Sequence, residues 1–96
     1  MNTLIQSAAF AAWMKGLKDK RGKARILSRL DSAALGNWGD CEFIAEGVFE
    51  MRIHFGPGYR IYCKRRGPHV YLLLVGGDKG TQKRDIQAAL EMARQL

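Results

Sequence analysis

The chain has few of the residues on which metal sites and disulfide frameworks depend. It contains two cysteines and two histidines in 96 residues, and it has no Cys-x-x-Cys pair. His54 and His69 are not spaced from Cys41 and Cys63 as zinc ligands are. We therefore expect two reduced thiols and no metal, because a chain with a reasonable core needs no disulfide.

Long apolar runs and nucleotide-binding motifs are also missing. No segment approaches the length of a membrane span, and the first fourteen residues contain no Lys or Arg. The glycine-rich segment 76–81 does not have the spacing of a Walker A loop. The sequence thus predicts a cytoplasmic protein without a cofactor, and no paired carboxylates or serine triad stand out.

Positive charge is abundant, by contrast. The chain has 16 Lys and Arg against 9 Asp and Glu, which gives a formal net charge of +7. Such a balance favours a nucleic acid, an anionic surface or an acidic protein as partner. The hydrophobic share of 47% is enough for a folded core, and the length indicates one domain over residues 1–96.

Hydrophobic periodicity predicts the order strand, helix, helix, three or four strands, helix. Phe10, Trp13 and Met14 have helical spacing after a possible Ser7 N-cap, and Gly36 is a natural stop for the second helix. A basic break is expected at 18–23, and Gly76 and Gly77 are expected to end the last strand. The predicted strands are 2–6, 42–45, 48–55, 59–64 and 70–75.

These elements indicate an α+β domain in which a helical hairpin and a C-terminal helix cover one face of a mostly antiparallel sheet. Thr81 is the predicted cap of the last helix.

The two central strands alternate in character. One face carries apolar residues and should join the core, whereas the other should form a cationic working surface, with Lys79 following the next strand. The residues of this second face are Glu50, Arg52, His54, Arg60, Tyr62 and Lys64.

An ordered set of motifs resembles the RelE/ParE toxin superfamily, and most closely its HigB-like "addiction module killer protein" branch. The matching motifs are Phe10-x-x-Trp13-x-x-x-Leu17-Lys-Asp19, Arg25-Ile-x-x-Arg29-Leu, Gly36-Asn-Trp-Gly-Asp40, Glu50-x-Arg52, Gly56-Pro-Gly-Tyr-Arg60 and Gly76-Gly-Asp-Lys79. They cover most of the chain in the right order.

The resemblance implies a toxin of a type II toxin–antitoxin module. RelE-like members cleave mRNA in the ribosomal decoding site, and ParE-like members poison DNA gyrase. The implied partners are a protein antitoxin, often with a helix-turn-helix, the ribosome with its mRNA, and operator DNA through the antitoxin complex. A ribosome-dependent, metal-independent endoribonuclease is the first interpretation. A gyrase inhibitor, or a degenerate toxin that acts only as a co-repressor, is the alternative.

The resemblance places Arg52, Arg60 and Lys79 in the candidate catalytic set, and His54 joins them because an imidazole can act as a base near neutral pH. Metal-free RNA cleavage needs a base, charge stabilisation and a proton for the leaving oxygen. The candidates are Arg52 and Arg60 for phosphate, His54 as base, and Lys79 beside the leaving group. The alternative for the arginines is a solvated face paired with Glu50, and for His54 a structural or merely exposed role.

Eight further cations are candidate RNA-binding residues, although charge runs are usually solvated faces. They are Lys20, Arg21, Lys23, Lys64, Arg65, Arg66, Lys83 and Arg84.

Overall fold

A computed structural model describes all residues from 1 to 96 and confirms the α+β class. A five-stranded sheet carries three helices. The elements are β1 (Thr3–Gln6), α1 (Ala8–Gly16), α2 (Lys20–Ala34), β2 (Cys41–Ala45), β3 (Val48–Ile53), β4 (Tyr59–Gly67), β5 (Val70–Asp78), a 3₁₀ turn (Lys79–Thr81) and α3 (Gln82–Arg94).

The sheet is mostly antiparallel, as expected. Its strand order is β1-β5-β4-β3-β2, and three of the four pairings are antiparallel. β1 runs parallel to β5, since two helices separate β1 from the rest of the sheet. The central strands β3, β4 and β5 have short connections, which places the chemistry-bearing residues of neighbouring strands side by side.

The two faces of the sheet are covered by different helices. α1 and α2 pack on the face that carries Met51 and Ile61, whereas α3 packs on the opposite face around Tyr62 and Leu74. The expectation that the helices cover one face is therefore wrong. β5 contains a continuous apolar run that is buried on both sides, and α3 covers the side that α1 and α2 leave open.

Of the two predicted helix caps, Ser7 is confirmed, whereas Thr81 precedes α3 but makes no side-chain capping hydrogen bond to it. Ser7 accepts a hydrogen bond from the amide of Phe10 at 2.9 Å, as an N-cap does. The predicted break at 18–23 ends at Asp19, which caps α2 by accepting from the amide of Gly22 at 3.0 Å. Gly22 lies inside α2, and the position requires glycine because a Cβ there would come within 2.5 Å of the Tyr59 ring.

The end of β5 also differs from the prediction. The strand continues through Gly76 and Gly77 to Asp78. Both glycines are buried under side chains, since a Cβ at Gly76 would meet the ring of Trp13 and one at Gly77 would meet Asp85. These glycines mark close approaches of helices to the sheet rather than the end of the strand.

Candidate functional site

A fully buried carboxylate organises the α3 face of the sheet. Glu50 is 0% exposed, and its Oε1 accepts a hydrogen bond from Arg52 Nε at 2.8 Å. Its Oε2 accepts from the Tyr62 hydroxyl at 2.9 Å and from Gln82 Nε2 at 2.8 Å. Gln82 is the first residue of α3, so this carboxylate ties the helix to β3 and β4.

The buried carboxylate also sets the environment of its neighbours. Burial, together with the hydrogen bond to Glu50, raises the pKa of Tyr62 above its ordinary value, which keeps the phenol a donor. Arg60 lies across from Arg52 in the β3–β4 register, and its Nε is 3.9 Å from Glu50 Oε2. The prediction of an open cationic surface is therefore wrong for Glu50 and Tyr62, because α3 covers both residues.

Arg52 and Arg60 differ in their freedom to meet a ligand. Arg52 is paired with Glu50 on one side and with Glu42 of β2 on the other. Arg60 Nε is buried and makes no hydrogen bond, since its distance of 3.9 Å from Glu50 is too long for one. The Arg60 side chain is 12% exposed and lines an open depression on the surface. Of the two arginines, Arg60 is the better placed to bind an anion.

Three of the four candidate catalytic residues line one open depression of about 350 Å³. His54 follows β3, Arg60 is the second residue of β4, and Lys79 follows β5. Phe55 and the turn 56–58 form the remaining wall. Gly56 and Gly58 have φ values of +55° and +80°, which glycine adopts without strain, so the turn folds back sharply beside Arg60. Arg52 does not line this depression.

His54 is held by a residue that the sequence did not single out as functional. Its Nε2 lies 2.6 Å from Asp40 Oδ2, and both side chains are exposed. The hydrogen bond from His54 holds the pKa of Asp40 below its ordinary value. The carboxylate therefore accepts from Nε2, which leaves Nδ1 as the nitrogen that can accept a proton. Asp40 and His54 are 14 residues apart, and only the fold brings them together.

Arg29 explains how Asp40 reaches this position. Its guanidinium donates to the backbone carbonyls of Trp38 and Arg52, and more distantly to that of Asp40 at 3.4 Å. These hydrogen bonds hold the turn before β2 against the end of β3 and against α2.

The candidate RNA-binding residues separate into three groups. Lys83 and Arg84 are exposed in the first turn of α3, where they line a neighbouring open depression of about 460 Å³. Lys20, Arg21 and Lys23 belong to the first turn of α2. That turn lies near the His54 depression, because the Tyr59 hydroxyl donates to the preceding Asp19 at 2.6 Å and Gly56 packs close to the same carboxylate.

The third group lies at the far end of β4. Arg65 is five residues from Arg60, which corresponds to about 17 Å along a strand. Its guanidinium donates to the carbonyls of Gly67 and Pro68, while Lys64 reaches the carbonyl of Ala93 at 3.4 Å. Arg66 is exposed beside them. These residues are therefore separate from the His54 depression.

A protein of Haemophilus influenzae (strain ATCC 51907 / DSM 11121 / KW20 / Rd) is 42% identical to this chain over 87 residues. The match covers 91% of this chain and 88% of the relative, which is described as an uncharacterized protein. The two proteins belong to one family. No family model matches the chain, and no solved structure is significantly similar to it. None of the three helices has the length and apolar character needed to cross a membrane.

Proposed function

We propose that this protein is the toxin of a type II toxin–antitoxin pair and that it cleaves mRNA on the ribosome. The observation that carries the proposal is the convergence of His54, Arg60 and Lys79 on one open depression. A general base, an arginine and a lysine are the groups that metal-free RNA cleavage needs. The net charge of +7 suits both RNA and an acidic antitoxin.

Each of the three residues is assigned one role in the cleavage reaction. His54 Nδ1 accepts the proton of the ribose 2′-hydroxyl, whose oxygen then attacks the adjacent phosphorus. Arg60 stabilises the negative charge of the phosphorane, and the Lys79 ammonium donates to the leaving 5′ oxygen. The new bond joins the 2′ oxygen to phosphorus and the broken bond joins phosphorus to the 5′ oxygen. The products are a cyclic phosphate and a 5′-hydroxyl end.

The proposed partners follow from the same assignment. The ribosome and its mRNA supply the substrate, and a cognate antitoxin, which we expect to carry a helix-turn-helix, neutralises the toxin and joins it at operator DNA. The exposed cations at the start of α2 and α3 offer phosphate contacts to ribosomal RNA. An antitoxin segment would have to bring acidic and apolar side chains to this surface.

The proposal is tested by mapping the 5′ ends of cellular mRNA after induced expression. Lys79→Ala removes an exposed side chain that makes no ion pair, so the fold should persist. We expect in-frame, translation-dependent cuts in the unsubstituted protein and about 100-fold fewer with Lys79→Ala. Lys15→Ala, an exposed cation at the end of α1, is the matched control and should cut normally.

Growth arrest without such cuts would refute the nuclease. A supercoiling assay with purified protein would then test gyrase inhibition. Absence of growth arrest, with binding to an antitoxin retained, would instead indicate a degenerate toxin that acts as a co-repressor.

A further inference from the structure

A second depression adjoins the one that contains Arg60. It has a volume of about 280 Å³ and is lined by Arg25, Ser28 and Arg29 of α2 together with Ile53 and His54. His54 lines both depressions, so they meet at this residue. The surface therefore continues from the β3–β4 turn past His54 onto the side of α2.

The three residues from α2 share one face of the helix, because they stand at positions i, i+3 and i+4. Arg29 is committed to the backbone carbonyls of Trp38 and Arg52 and is unavailable to a ligand. Arg25 and Ser28 are exposed, and neither forms a side-chain hydrogen bond or an ion pair within the protein. The second depression thus offers one free guanidinium and one free hydroxyl.

The free guanidinium contacts an aromatic ring. The Arg25 guanidinium carbon is 4.9 Å from the centroid of the Phe55 ring. Phe55 lines the first depression and Arg25 lines the second, so the contact lies at the boundary between the two. A cation–π contact uses none of the guanidinium N–H groups as hydrogen-bond donors to the protein, so they remain able to donate to phosphate.

We propose that Arg25 and Ser28 form a second phosphate subsite, which binds the nucleotide that flanks the scissile phosphate in single-stranded RNA. The inference rests on the proposed function, because it places the scissile phosphate among His54, Arg60 and Lys79. A cationic track with an aromatic wall is the usual construction for a single strand. Arg25 adds affinity for the strand and takes no part in the bond-breaking step.

The test is single-turnover cleavage of mRNA on programmed ribosomes at increasing toxin concentration. Arg25→Gln should raise the concentration for half-maximal rate about 10-fold, as loss of one charge-assisted phosphate contact does, and leave the saturating rate unchanged. Arg25→Lys should recover part of the loss, because it keeps the charge without the planar fork. Lys15→Gln makes the same change of charge outside both depressions and should behave as the unsubstituted protein.

The two proposals fail differently. Lys79→Ala should lower the saturating rate, whereas Arg25→Gln should change only the half-saturating concentration. An unchanged concentration for Arg25→Gln, with Lys79→Ala still slow, would overturn the subsite and leave the nuclease proposal standing. Weaker antitoxin binding by Arg25→Gln with normal half-saturation would also overturn it and assign this surface to an acidic protein. Absence of cleavage by the unsubstituted protein would overturn the nuclease and the RNA subsite together.

Discussion

Glu50→Gln is the substitution with the largest expected effect on the α3 face of the sheet. Glu50 is fully buried and accepts three hydrogen bonds, from Arg52, Tyr62 and Gln82. The glutamine has nearly the same shape, so the change removes the charge and turns one acceptor oxygen into a donor. At least one of the three donors then faces an amide nitrogen, and the neighbouring guanidinium of Arg60 loses its buried counter-charge.

The expected loss of stability follows from the cost of removing one partner of a buried ion pair. Removing one partner leaves an uncompensated charge in the interior, which typically costs about 3–5 kcal/mol. Domains of this size have a total free energy of unfolding of about 5–15 kcal/mol, so the variant should be marginally stable. The effect should be concentrated where α3 meets the sheet, because Gln82 is the first residue of that helix.

Urea unfolding followed by circular dichroism measures this loss. Glu91→Gln is the matched control, since Glu91 lies on α3 with an exposed side chain and an ion pair to Arg94 at 3.6 Å. We expect the control to change the free energy of unfolding by less than about 0.5 kcal/mol. A decrease in the free energy of unfolding of less than about 1 kcal/mol for Glu50→Gln would refute the reasoning. It would mean that the charge of Glu50 does not stabilise the neighbouring arginines.

The remaining predictions concern the packing of α3 on the sheet and the hydrogen bond between Tyr59 and Asp19. Gly77→Ala would place a methyl group against the Asp85 side chain and should lower the free energy of unfolding by about 3 kcal/mol in urea. The control Gly16→Ala meets no atom within 4 Å and should be neutral or slightly stabilising. Equal urea midpoints for the two variants would contradict this expectation. Burial and the hydrogen bond to Asp19 raise the pKa of Tyr59 from 10.0 to about 12. The unfolded chain therefore loses this proton first, and stability should fall as pH rises from 10 to 12, a decline that Tyr59→Phe should reduce. The same variant should raise the lowered pKa of Asp19 towards its ordinary value in an NMR titration, and an unchanged pKa would count against the hydrogen bond.

Much of the fold could be predicted from local pattern. The alternation of β3 and β4 correctly separated Met51 and Ile61 from Glu50 and Tyr62, because a strand directs successive side chains to opposite faces. Ser7 was recognisable as a cap from residue type alone. Gly22 misled the prediction, since its role is to admit the ring of Tyr59, which lies 37 residues further along the chain.

The candidate site could be predicted only in part. His54, Arg60 and Lys79 lie at or next to the ends of neighbouring strands, so their meeting at one edge follows from the order of the elements. The pairing of Arg52 with Glu42 could not be predicted, because it depends on the register of the edge strand β2.

Two other residues of the site could not be predicted, because long-range contacts place them there. Asp40 reaches His54 through the turn that Arg29 fastens, and Arg25 gains its position from contact with Phe55. Both residues stand in the motifs that carry the family resemblance, but nothing in their immediate neighbours indicates that Asp40 contacts His54 or that Arg25 contacts Phe55.

The amino-acid order alone specifies which residues are apolar, with what period they recur and where caps and turns interrupt them, because these depend on neighbours a few residues away. Which charges remain available to a ligand depends on the packing of the elements against one another. The packing of α3 on the second face of the sheet buries Glu50 and most of Arg60, and the packing of α2 beside the β3–β4 turn brings Arg25 to His54. Exposure and ion pairing depend on what lies opposite each side chain across the fold, which no local pattern records.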